Sequence, residues 1–129
     1  MSDTKNVLVI GVNPAFIDFY SPDFAAFPGL DAAKVMAGLE AARESLAEAG
    51  YQVDLCLTYF GETAEATVRG QLEKRRYDCI VIGAGVRAVP GNFLLFEKLI
   101  NVVHACAPQA KLSFNTKPTD TVEAVRRWI

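Results

Sequence analysis

Apolar and polar positions follow two different periods along this chain, and strand-like and helix-like segments alternate four times. Val7-Leu8-Val9-Ile10-Gly11-Val12 is an unbroken apolar run rich in β-branched residues, the pattern of a strand covered on both faces. Residues 31–49 then place Val35, Met36, Leu39, Ala42 and Leu46 on one helical stripe, with Asp31 positioned to cap the start and Gly50 to end it. A second strand over 52–60 alternates Val53, Leu55, Leu57 and Tyr59 against polar neighbours. Residues 62–76 then form a shorter helix with Ala64, Val68 and Leu72 four apart. Cys79-Ile80-Val81-Ile82 is again wholly apolar. After a loop, a helix of about 92–107 stops at Pro108. Residues 111–115 alternate as a fourth strand. A last helix begins near residue 120, where Asp120 and Glu123 have capping-box spacing and Val122, Val125 and Ile129 face inward beside Trp128.

These patterns carry a topology. The first and third strands are apolar throughout and belong in the middle of a sheet, while the alternating second and fourth belong at its edges. Right-handed crossovers then give a parallel sheet of order 2-1-3-4 inside a three-layer α/β/α sandwich, a flavodoxin-like arrangement lacking its fifth strand. No repeat, low-complexity tract or linker interrupts the chain, so residues 1–129 read as one α/β domain. The winding reverses between strands 1 and 3, and open α/β sheets bind ligands at that switch, outside the carboxyl ends of the strands.

Composition narrows the partners. A net charge of −2 gives no electrostatic reason for a polyanion. The basic run Lys74-Arg75-Arg76 ends a helix, where cations complement the dipole, so nucleic-acid binding is not expected. Cys56, Cys79 and Cys106 share no C-x-x-C spacing and the chain has one histidine, so neither a metal site nor disulfides are expected, and a reducing compartment is. The polar start, an apolar run that stops at Val12, and the lack of a long apolar stretch predict a cytoplasmic protein with no membrane association.

Two unusual loops flank the switch. Residues 13–30 are far longer than an ordinary βα connection and carry five rings, Phe16, Phe19, Tyr20, Phe24 and Phe27. So many rings must be buried against the domain core, against another subunit or partner, or over a small-molecule pocket with Asp18 or Asp23 as a polar contact. The second loop starts Gly83-Ala84-Gly85-Val86-Arg87. Its glycines allow a tight turn with N–H groups close to a ligand, Arg87 has the fork geometry for a phosphate or carboxylate, and a helix starting near Asn92 adds its dipole. The same residues also read simply as a tight turn with a solvated arginine. Gly83, Gly85 and Ala88 match G-x-G-x-x-A, but Pro90-Gly91 interrupts the helix that motif needs and no acid ends the next strand, so no dinucleotide or other cofactor is expected. Thr58, Tyr59 and Glu62 come from the second strand, and Asn115, Thr116 and Lys117 from the fourth. Lys117 and Arg87 could share an anion if the fourth strand's loop folds toward the switch, whereas Thr119 and Asp120 are explained as capping residues.

Several chemistries are missing. The strand ends lack the acids of a phosphoacceptor receiver and the hydroxyl-rich loop of a flavodoxin, and no Walker or C-x-x-x-x-x-R loop occurs. His104 falls on the polar side of its helix, far from the crevice, which leaves Asp18, Asp23, Glu62 and Tyr20 for acid–base work with no rigid element pinning any pair. No reaction is named by these residues. The expectation is a small anionic metabolite bound by Asn13, Asp18, Tyr20, Gly83, Gly85, Arg87, Asn92, Asn115 and Thr116, and the alternative is a homo-oligomeric or adaptor module working through the aromatic loop 13–30.

Overall fold

The apolar runs make the centre of the sheet because each of their residues finds cover on its own side. In the computed structural model, which describes residues 4–59 and 62–129 without the Glu62 side chain, Val7, Val9, Cys79 and Val81 pack to one face and Leu8, Ile10, Ile80 and Ile82 to the other. Four strands, β1 (Asn6–Val12), β2 (Gln52–Thr58), β3 (Cys79–Ile82) and β4 (Lys111–Phe114), form a parallel sheet in the order β2-β1-β3-β4. The register pairs Ile10 with both Cys56 and Ile82, and Ile82 with Phe114.

Helices α1 (Ala32–Glu48) and α5 (Thr121–Arg126) cover one face; α2 (Glu62–Lys74) and α4 (Phe93–Cys106) cover the other. The second face is the thicker one. Ala64, Val68 and Leu72 of α2 meet Leu95, Leu99, Val102 and Val103 of α4 over Leu8, Ile10, Ile80 and Ile82, burying large aliphatic side chains at about 1.5–3 kcal/mol each. At its lower end Tyr77, buried, donates its hydroxyl to Asp54 at 2.6 Å and accepts from Gln71 at 2.8 Å, while Arg75 pairs with Asp54 at 3.1 Å. Desolvation first, then the Asp54 hydrogen bond, pushes the Tyr77 phenol up to about 12.

Several boundaries differ from the sequence pattern. Strand β2 stops at Thr58, and the expected extension to residue 60 and the Glu62 side chain lie outside the described residues. Helix α2 ends at Lys74, because Arg75 turns to Asp54 and the Arg76 carbonyl accepts from Asn6 Nδ2. The segment after β3 is not a plain loop: the one-turn helix α3 (Ala84–Arg87) and a 3₁₀ turn (Pro90–Asn92) precede α4, separated where Pro90 cannot donate an N–H. The capping box of Asp120 with Glu123 does not form. Asp120 reaches back instead to the N–H groups of Thr116 (3.0 Å) and Lys117 (3.3 Å) and to the Thr116 hydroxyl, closing a 3₁₀ turn (Pro118–Asp120) ahead of α5. Trp128, expected near the inward side, is half exposed.

Asp31 caps α1 through the Lys34 N–H at 2.8 Å, and Gly50 takes the left-handed φ of 100° that ends the helix without a Cβ penalty. Cys56 and Cys79 are buried and free, and burial pushes both thiols up to about 11; Cys106 is free and half-buried. Among the described residues no helix is long and apolar enough to cross a membrane.

Candidate functional site

Side-chain parity decides where the sheet leaves space. On β1 the residues facing α1 are Val7, Val9 and then Gly11; on β3 they are Cys79, Val81 and then, one step past the strand, Gly83. The core residues above and below are bulky, so the two central strands run out of side chain together, at the same height and on the same face. The Gly83 N–H donates to the Ile10 carbonyl at 3.0 Å, which holds the two glycine segments side by side. Leu57, paired with Gly11, bounds this bare stretch on β2, and Asn115, one step beyond the Ile82–Phe114 pair, bounds it on β4.

Helix α1 fills the gap only in part, with Leu39 Cδ2 3.5 Å from where a Cβ on Gly11 would stand. Its lower residues Ala42 and Leu46 are buried against the sheet, but Val35, Met36 and Leu39 on the same stripe are only half-buried. Val35 and Leu39 become one wall of a cavity of about 290 Å³ whose floor includes Gly11 and Gly83. The aromatic loop supplies the roof with Phe19, Phe24, Phe27 and Leu30; the segment after β3 supplies Ala84, Gly85, Ala88 and Val89; and the β4–α5 loop supplies residues 115–118. The volume is at the low end of the range for ligand pockets, about 300–1,000 Å³, and the lining is overwhelmingly apolar.

The roof is a chain of turns, not a floppy strand. Asn13 accepts from the Ala15 N–H at 3.0 Å and starts one 3₁₀ turn (Pro14–Phe16); Ser21 accepts from the Asp23 N–H at 3.2 Å and starts another (Pro22–Phe24). Phe19 and Phe24 meet as a tilted pair at 5.3 Å between centroids. Lys34 Nζ donates to the Gly29 carbonyl at 2.6 Å, fastening the end of the loop to the first turn of α1. The Asp23 carboxylate rests against the Cα of Gly91, where a Cβ would have no space. Likewise a Cβ on Gly38 would stand 2.9 Å from Pro118 Cγ, so a bare position on α1 lets the β4–α5 loop close in.

The residues expected at the crevice divide. Gly83, Gly85, Asn115 and Thr116 line the cavity; Asn13, Asp18, Tyr20, Arg87 and Asn92 do not. Asn13 is the turn cap just described. Asp18 accepts from the Tyr20 N–H at 3.0 Å, and Tyr20 itself is 99% exposed. Asn92 is buried and donates to the Gly85 carbonyl at 3.0 Å. The Arg87 guanidinium donates to the Asn115 backbone carbonyl at 2.9 Å. Asn115 is the hub: its Oδ1 accepts from the Ala84 N–H at 2.9 Å and its Nδ2 donates to Thr121 Oγ1 at 2.9 Å. Its carboxamide therefore takes up one of the backbone donors of the glycine turn that the sequence offered to an anion. The fourth strand's loop does fold toward the switch, as a shared anion site would need, but it brings Lys117 to the cavity without Arg87.

Lys34, Val35, Leu39, Ala88 and Val89 were not expected at the site. The signal that points to them is the matched parity of Gly11 and Gly83, which puts the bare floor on the α1 side. Of the other rings, Phe16 packs edge-on against Tyr59 at 4.6 Å, and Thr58 donates to the Gly11 carbonyl at 3.3 Å. His104 is exposed on α4, and among the described residues no group of three or more His, Cys, Asp or Glu could hold a metal ion. The arrangement is that of a three-layer α/β protein with a roofed apolar cavity at its switch point. In comparisons with known proteins the chain matches no family model, and no curated protein or solved structure matches it significantly.

Proposed function

We propose that the protein binds a small organic anion with an apolar body in this cavity. The observation that carries the reading is the cavity itself: two bare strand ends under an aromatic roof, at the position where open α/β sheets bind ligands. Its charged lining points to the sign of the ligand. Among the described residues Lys34 and Lys117 line the cavity and no carboxylate does. An anionic end at the lysines, with an apolar body under the phenylalanines, matches both halves of the lining. In this reading Arg87 positions Asn115 and does not touch the ligand, and the site calls for no metal or cofactor.

The test is a thermal-shift screen of small carboxylates and sugar phosphates on wild type and on K34A/K117A. A ligand at 100 times its Kd adds about 2.7 kcal/mol of stability, so a carboxylate should raise the wild-type Tm by several degrees and the double variant's far less. No shift with any anion, or equal shifts in both proteins, overturns the reading.

A second reading keeps the rings that avoid the cavity. Phe16 and Tyr20, with Phe93 (63% exposed) and Leu94 (73% exposed) at the start of α4, leave apolar surface around the carboxyl edge of the sheet, as a self-association or adaptor surface would. Sedimentation at high micromolar concentration tests it: a strict monomer removes self-association.

A further inference from the structure

Resting on the ligand-binding reading, we infer that the cavity is built for a planar aromatic carboxylate. A strand face normally presents Cβ atoms, which make it ridged. Here two adjacent central strands present none at the same height, so the floor between Leu57 and Asn115 is peptide plane and Cα at Gly11 and Gly83, with the δ-methyls of Leu39 and Leu57 flanking Gly11. Neighbouring strands lie about 4.8 Å apart, which makes this a flat strip two strands wide. A flat strip under a set of phenyl rings is complementary to a flat ring. A puckered or branched ligand of the same volume meets the floor at few points and forfeits dispersion contacts on that side.

The roof agrees with the floor. Phe19, Phe24 and Phe27 bring three rings to one cavity, with Phe19 and Phe24 tilted 53° to each other. Offset and edge-on aromatic pairs gain beyond their buried area. Besides Asn115, the polar lining comes from Thr116 and Lys117 of the β4–α5 loop and from Lys34 in the first turn of α1. Lys34 is already bonded to Gly29, whereas the Lys117 ammonium makes no direct hydrogen bond or close ion pair among the described residues and only feels the neighbouring Asp120 charge. The carboxylate therefore belongs at Lys117, with the ring reaching inward over Gly83 and Gly11.

Glycine 11 is the residue that sets this preference. Its φ is not in the left-handed region, and an added Cβ would meet Leu39 at 3.5 Å and Leu57 at 3.7 Å, which is ordinary contact. A side chain there ridges the floor without straining the backbone.

Isothermal titration with benzoate and with cyclohexanecarboxylate, on wild type and on Gly11→Val, tests the inference. Thermal denaturation of the free variant checks that it folds, and Gly11→Ala serves if it does not. Wild type should bind benzoate about three- to tenfold tighter than the puckered analogue, and the substitution should abolish that margin. Equal or tighter binding of cyclohexanecarboxylate by wild type overturns the planar inference and leaves the anion-binding reading standing. A margin that survives Gly11→Val overturns the role of the floor. Failure of both carboxylates to bind wild type overturns the inference, and the functional reading falls with it when the wider anion screen is silent as well.

Discussion

At the scale of single residues, missing atoms shape this protein as much as present ones. Gly11 and Gly83 leave the cavity floor bare, Gly38 admits Pro118, and Gly91 admits the Asp23 carboxylate. Gly38 and Gly91 sit where a loop comes close to backbone. Asp120 shows the opposite device, one side chain satisfying several donors at once. Desolvation is the largest single influence on its carboxyl and raises its pKa; the hydrogen bonds from the Thr116 hydroxyl and N–H and the Lys117 N–H, with the Lys117 charge, together outweigh it and hold the pKa below the usual value. A carboxyl whose folded pKa is depressed contributes stability above its unfolded pKa, near 4, and loses it as pH falls through the folded value. Asp120→Asn, which imitates the protonated form, should therefore lower Tm at pH 7, and the gap to wild type should close as the pH drops below about 4. Tm measured across that range checks it; a gap constant with pH contradicts the assignment.

At the scale of elements, the carboxyl edge is held together by Asn115. From the end of β4 it binds the first turn of α3 through Ala84 and the start of α5 through Thr121, while Arg87 returns from α3 to its carbonyl. Asn115→Ala leaves the Ala84 N–H and the Thr121 hydroxyl without this partner, and should cost about 1–3 kcal/mol in urea denaturation. A loss within 0.5 kcal/mol, roughly the scatter of surface substitutions, counts against the hub. The sequence made the elements easy to read because period and composition agree in each: the apolar runs of β1 and β3 are central, Asp31 and Gly50 bracket α1, and Ala64, Val68 and Leu72 are buried. It could not show that Asn115 would occupy the glycine turn, because that bond spans 31 residues and depends on how far the β4–α5 loop folds in. For the same reason Arg87 read as a free fork: its acceptor is a backbone carbonyl, which leaves no trace in side-chain identity.

On the scale of the whole molecule, the two faces of the sheet are unequal. The α2–α4 face is filled by large aliphatic side chains, whereas the α1–α5 face is packed only at its lower end. The aromatic loop closes the upper end. Three alternatives for its rings, core, interface or lid, stood open in the sequence, and the rings are divided among environments: Phe19, Phe24 and Phe27 line the cavity, Phe16 packs on Tyr59, and Tyr20 stands in solvent. The position of the crevice was legible from strand order alone; its apolar lining was not, since that depends on which face the loop covers.

The most direct test of a ligand site under the loop is an amide chemical-shift titration with benzoate and cyclohexanecarboxylate. Saturable shifts should concentrate at Gly11, Gly83, Lys34, Lys117 and the loop phenylalanines, with the α2 surface around Arg69 and Gly70 unmoved. Saturable shifts that gather on α2, or the absence of any shift at the cavity residues with either probe, would contradict it.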